Sequence, residues 1–321
     1  MAKSIDVDQV VRQIAQLRDN PAGVDAKAEL TKHLGSRANI VVAKAAEVAG
    51  ALRLVDLAPA METACNHFFD AEDKGCLAKT AIATVLNQLS AGSELLFLRG
   101  VRHVQMEAGW GAAVDVAGEL RAVSGLALAA LGSRTALIEL SDLLMDSLPG
   151  CRSAAAHGIA HVGHESGALP LRVKLLAGDK EIEVIEECLA ALAIVTPKPA
   201  VGFIERMLEH EDEQVKAAAA IALGSTRTPE GLAVLLNRWE RDITPASRNR
   251  LLPGIAVARL PQALDFLMDL IEAGNRATAV QAITALAHYR HDAQVKKRIA
   301  EAVENRQDAN LQQQLNAIFG T

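Results

Sequence analysis

The chain has 321 residues, a formal net charge of −6 and 50% hydrophobic residues, of which few are aromatic. That length admits two domains or one elongated array, and the apolar content suffices for a large core. The acidic balance argues against broad attraction to phosphate backbones, and the longest apolar stretch, AVSGLALAALG at 122–132, is too short to span a bilayer. Alanine and leucine dominate the apolar content, which suits close helix–helix packing better than strands. The start MAKSIDVDQVVRQ lacks the apolar segment of a secretory leader. Cys65, Cys76, Cys151 and Cys188 form no CxxC. Buried reduced thiols in a cytoplasmic, soluble protein are therefore expected.

In chain order, residues 6–35 read as a first helix pair, charged at Asp6, Asp8, Arg12, Arg18 and Asp19. Residues 1–37 are expected to cap the N-terminal end. At Val41 a repeated template begins. Its positions 1, 5, 8 and 9, here Val41, Ala45, Val48 and Ala49, make one helical stripe that should be buried. The template recurs from Leu120, Cys151, Val184 and Val215, with weaker fits from Leu77, Ser247 and Thr278. Successive starts are 36, 43, 31, 33, 31, 32 and 31 residues apart. A period near 31 marks an array of supersecondary units. Second amphipathic segments lie between the template helices, at 136–146, 202–212, 231–242 and 263–274. Thr196-Pro197, Thr228-Pro229 and Thr244-Pro245 read as helix starts, because threonine caps free N–H groups and proline suits the first helical position. The longest spacing marks an insertion near 97–114. Residues 291–321, ending in DANLQQQLNAIFGT, read as C-terminal capping helices.

The elements Val215, Lys216, Ala219, Ala222, Leu223, Gly224 and Cys151, Arg152, Ala155, Gly158, Ile159, Gly163 resemble the V-R/K-x-x-A-x-x-A-L-G signature of the HEAT-repeat superfamily, in its short form of about 30 residues. The resemblance covers roughly 38–290 and implies about eight repeats. It implies an all-α, right-handed α-solenoid of stacked antiparallel helix pairs, armadillo-like, running as one domain over 1–321. The template helix would be the inner one, lining a concave face. Positions 3, 7 and 11 avoid the buried stripe and would face that groove. They include Lys79 and Ala83, and also Leu126, His157, His161, Ile194, Ile221 and Val257. So apolar a face suggests a bound protein or peptide partner. The cations at position 2, Arg121, Arg152, Lys216 and Arg248, would form a ladder with acids such as Asp115 and Asp212.

The insertion is expected to continue a helix bearing Arg99, Arg102, His103, Gln105 and Glu107 into the loop AGWGAAVD. His103 and Glu107 would share a face, and Trp110 between two glycines would serve as an exposed anchor. His157 and His161, four apart, make weak metal candidates together with His103 and Glu107. The HEAT-like di-iron hydroxylases use several His-Glu pairs, whereas this chain has the single pair His164-Glu165, so that activity is not supported. No Walker motif, GxGxxG, GxSxG or HExxH is present. The face lacks the cationic, aromatic character of nucleic-acid readers. The reading is a non-catalytic scaffold or adaptor with no cofactor, nucleic acid or membrane. It would bind a protein partner through Leu126, His157, His161, Ile194, Ile221 and Arg102, with Trp110 and its loop as a clamp. The alternatives are a HEAT protein similar to the phycobilin lyases that handles a linear tetrapyrrole, and a metal-binding HEAT protein.

Overall fold

The computed structural model describes residues 7–19 and 25–320. Asp6 lies outside them. Nineteen α-helices account for most of the structure among these residues, with four short 3-10 helices and one two-stranded hairpin. The chain forms two compact units, Met1–Val162 and Gly163–Thr321.

In the first unit, one row contains α1 (Val7–Asp19), α3 (Asn39–Ala51), α5 (Leu77–Gln88), α7 (Gly118–Ala130) and α9 (Pro149–Val162), each packing on the next. A second layer holds α2 (Ala26–Leu34), α4 (Ala58–Asp70), α6 (Glu94–Val101) and α8 (Ala136–Leu143), each docked on the row helix that follows it. The second unit repeats the plan. Its row is α11 (Ile182–Val195), α13 (Glu213–Ser225), α15 (Pro245–Val257), α17 (Arg276–Ala285) and α19 (Ala309–Phe319). Its other layer is α10 (Ala168–Ala177), α12 (Pro197–Met207), α14 (Pro229–Arg241), α16 (Pro261–Ala273) and α18 (Ala293–Arg306). This is the all-α helix-pair architecture expected of a solenoid, since neither layer can bury its apolar stripe without its neighbours. No helix among the described residues is long and apolar enough to cross a membrane.

The row helices are the template helices. Stripe residues Val41, Ala45, Val48, Ala49 and Val215, Ala219, Ala222, Leu223 are all buried, as are Cys151, Ala155, Gly158 and Ile159. One frame needs correction. Counted from Leu77, the stripe would bury Leu77, which is 42% exposed, and would expose Lys79 and Ala83, which are buried. The stripe actually starts at Ala78 and runs through Ile82, Val85 and Leu86. The shift places Lys79 at position 2, among the ladder cations.

Small residues let the row helices approach closely. A Cβ on Gly254 would stand 2.1 Å from the Ala220 carbonyl oxygen, and one on Gly224 1.9 Å from that of Gly254. The α13–α15 crossing is therefore backbone on backbone, which only glycine permits. Helix starts behave as their chemistry dictates. Thr228 accepts from Gly231 N–H and Thr244 from Ser247 N–H, each followed by proline, whereas Thr196 makes no such bond.

Candidate partner-binding site

The insertion departs from expectation. The helix α6 ends at Val101, and Arg102 caps it. The chain then runs extended into β1 (Met106–Glu107), turns, and returns as β2 (Val114–Asp115). The strands are antiparallel, pairing Met106 with Asp115 and Glu107 with Val114. His103 and Glu107 thus do not share a helix face. At the tip, a Cβ on Gly109 would meet the Ala112 carbonyl oxygen at 2.7 Å, so the tight turn needs glycine there.

The hairpin's amphipathicity is inverted. A strand packed on a core normally turns apolar side chains inward and polar ones outward. Here Gln105 and Glu107 are the half-buried residues, while Val104 and Met106 are 60% and 56% exposed. Val114 is also exposed, and Trp110 at the tip touches almost nothing.

Buried polar groups beneath the strand hold it this way. Lys79, with a side chain 3% exposed, donates to Gln105 Oε1 at 2.6 Å and to the Phe68 carbonyl at 3.2 Å, and lies 3.7 Å from Asp73. The Gln105 amide donates in turn to the Asp73 carbonyl at 2.6 Å and to Glu107 Oε1 at 2.7 Å. Glu107 Oε1 also accepts from the Gly75 N–H at 2.7 Å. Asp73 caps α5 by accepting from the N–H groups of Ala78 and Lys79. His103 stacks edge-on against Phe69 and comes within 3.4 Å of Gln105. Burial, with the Lys79 charge adding to it, pushes its pKa below the ordinary imidazole value.

Arg121 pins the other end. Its guanidinium donates to both Asp146 oxygens at 2.7 and 3.0 Å and to the His103 carbonyl at 2.9 Å, and pairs with Asp115 at 2.8 Å. Burial raises the Asp115 and Asp146 carboxyls, but Arg121 and backbone donors outweigh it and hold both below the usual range. Arg121 itself is raised, since the two carboxylates overcome its own desolvation. This is the expected ladder at Asp115, extended to Asp146.

Asp212 plays no such part. Its carboxylate accepts from the Gln214 N–H and caps α13, while Lys216 pairs with Glu213 at 2.7 Å. Arg152 and Arg248 reach backbone carbonyls, those of Asp146 and Ser147 and of Trp239 and Asp242. Sequence reasoning missed Asp73, Asp146 and Glu139, and it set the buried Lys79 on the groove face. A signal was present: Asp73 and Lys79, Asp115 and Arg121, Asp146 and Arg152, and Asp242 and Arg248 are all six residues apart.

Two open clefts flank the hairpin. One, of about 730 Å³, lies between the exposed strand residues and α8. Arg102 crosses it to a bidentate pair with the buried Glu139, donating from Nε at 2.8 Å. The other cleft, of about 610 Å³, holds Lys79, His103, Gln105 and Glu107.

The remaining predicted positions lie on the row helices. His157 and His161 are exposed on α9, Leu126 is half-buried on α7, and Ile194 and Ile221 on α11 and α13 are 57% and 43% exposed. Val257 is half-buried too, so the water-facing hydrocarbon expected at Leu126 and Val257 is partly covered. Among the described residues, no group of three or more His, Cys, Asp or Glu side chains is placed to hold a metal ion. The His164 ring nitrogen Nδ1 accepts from the Ser166 N–H.

The family described as HEAT repeats matches residues 169–252. No curated protein matches the chain. Among solved structures, the complex of CpcE and CpcF of phycocyanin lyase from Nostoc sp. PCC7120 is 17% identical with a TM-score of 0.40, covering 90% of this chain and 94% of that one. An engineered protein is also 17% identical with a TM-score of 0.44, covering 99% of this chain and 96% of its own.

Proposed function

We propose that this HEAT-like repeat protein is a non-catalytic scaffold or adaptor that binds a protein partner. The observation that carries the reading is the inverted hairpin. Val104, Met106 and Val114 stand in water on strands anchored by buried ion pairs and hydrogen bonds, and the fully exposed Trp110 sits at the tip. A fixed, exposed apolar element whose hydrogen-bonding side is satisfied internally has the make-up of a binding surface: a large aromatic anchor, preorganised. In the first unit the exposed His157 and His161 on α9, and the half-buried Leu126, extend the candidate surface, with Arg102 beside the hairpin. In the second unit Ile194 and Ile221 provide an apolar patch of their own on adjacent helices.

Quantitative affinity capture from an extract of the source cells tests the reading. The baits are the wild-type protein, a Trp110→Ala variant and an Ile194→Asp/Ile221→Asp variant, each checked for fold by circular dichroism. One protein retained in stoichiometric amount, and reduced at least about tenfold by one of the variants, is expected. Identical capture by all three baits would contradict it.

A further inference from the structure

We infer that the cleft between the hairpin and α8 takes a partner segment that combines an apolar side chain with a lysine or arginine. This rests on the scaffold reading and specifies the partner's chemistry at one site.

The apolar half of the requirement follows from the hairpin. Val104, Met106 and Val114 all line this cleft, and each leaves more than half of its surface in water. The backbone pairing and the inward hydrogen bonds of Gln105 and Glu107 prevent the strand from rotating to hide them. A one-residue slip would turn Val104 and Met106 inward, but it would take the Gln105 acceptor from the buried Lys79 and the Gln105 donor from the Asp73 carbonyl and set apolar side chains against both. The exposed face is therefore a fixed property of the fold, and covering it requires another segment of chain.

The cationic half follows from charge. Four carboxylates line the cleft, Asp115, Glu139, Asp142 and Asp146, against two guanidiniums, Arg102 and Arg121. Arg121 is committed to Asp115 and Asp146, and Arg102 to Glu139. Asp142 forms no ion pair with any described residue and acts on Arg102 through space. It is exposed and sits in the last turn of α8, where the negative end of the helix dipole also favours a cation. An acidic segment would meet uncompensated negative charge here. A purely apolar one would cover Asp142 without a partner. A segment with hydrocarbon against Met106 and Val114 and a cation at Asp142 satisfies both.

Selection from a displayed library of random 12-residue peptides against the intact protein tests this, followed by titration of the recovered peptide as its fluorescein conjugate. The expected peptides pair Leu, Ile, Met or Phe with Lys or Arg. Met106→Glu and Asp142→Lys should each weaken binding by about tenfold or more. A peptide with its Lys or Arg changed to Glu should lose affinity for the wild type and regain it on Asp142→Lys. Both substituted positions are exposed, so the fold is retained.

Peptides without a basic residue, or affinity indifferent to both variants, would overturn the inference. Peptides lost only on Ile194→Asp or Ile221→Asp would overturn it too, while leaving the scaffold reading in place. Recovery of no binding peptide would likewise count against the cleft, with the scaffold reading judged separately by the capture experiment.

Discussion

Replacing Arg121 by methionine removes the cation that joins both ends of the hairpin to the helical body. The side chain is 5% exposed, and its partners Asp115 and Asp146 are 12% and 11% exposed. Removing one member of a buried pair costs about 3–5 kcal/mol, most of it from the charges left behind. Both carboxylates keep backbone donors, from Gln105 and Ala117 to Asp115 and from Leu148 to Asp146. The loss therefore belongs at the low end, about 3 kcal/mol.

The pH dependence has a definite sign. In the wild type both folded carboxyls lie below their unfolded values, so their contribution is complete above about pH 4 and is lost as pH falls through the folded values. In Arg121→Met burial acts without the cation and favours the protonated acids. The deficit is then largest at pH 7 and shrinks towards pH 4.5. Urea unfolding at the two pH values measures the deficit, and hydrogen exchange at pH 7 assigns it to α7 and α9 rather than α13. A deficit that is equal at both pH values, or one below about 1 kcal/mol at pH 7, would refute the reasoning.

Gly254→Ala should lower the melting temperature, at a cost of about 1–3 kcal/mol, because its Cβ meets the Ala220 carbonyl. Gly150→Ala, with open space around it, should be neutral or mildly stabilising, and equal effects in a thermal melt would contradict the close-approach argument. Ser124 has a fully buried hydroxyl with no hydrogen-bond partner among the described residues, so Ser124→Ala should gain about 1 kcal/mol in urea unfolding; a loss of that size would contradict this. The four cysteines are buried, and desolvation pushes Cys65 and Cys188 up to about 12 and Cys76 and Cys151 up to about 11. A thiol reagent at pH 8 should modify none of them until denaturant is added, and rapid labelling of the native protein would contradict their burial.

The helix-pair repeat was legible because stacking makes the same demand at every unit. Small apolar residues must recur at positions 1, 5, 8 and 9, and Val215, Ala219, Ala222 and Leu223 meet it without ambiguity. Ile194 and Ile221 were legible as exposed for the same reason, since they fall outside that stripe. The frame at Leu77 was not, because LAKTAIATVL is apolar enough to fit two registers one residue apart. What decides between them is electrostatic: Asp73 caps the helix at Ala78 and Lys79, and a lysine in that position must turn inward.

The hairpin was hidden for a deeper reason. Past Gly100, which lies within α6, VRHVQMEA has no turn residue before Gly109, so it continues a helix on composition alone. Its alternation of Val104 and Met106 with Gln105 and Glu107 is that of a strand, but one whose apolar side should be buried. The buried Lys79 ammonium, the Asp73 carbonyl and the Gly75 N–H, a repeat earlier in the chain, reverse that orientation.

The central claim is that this protein acts by holding a partner against the hairpin. Site-specific photo-crosslinking in the source cells tests it most directly, with benzoylphenylalanine at position 110 and, as a control, at the exposed Lys297 of α18. The account predicts one dominant crosslinked protein from position 110, absent from the control and diminished by Met106→Glu. Crosslinks no stronger from position 110 than from position 297 would contradict it.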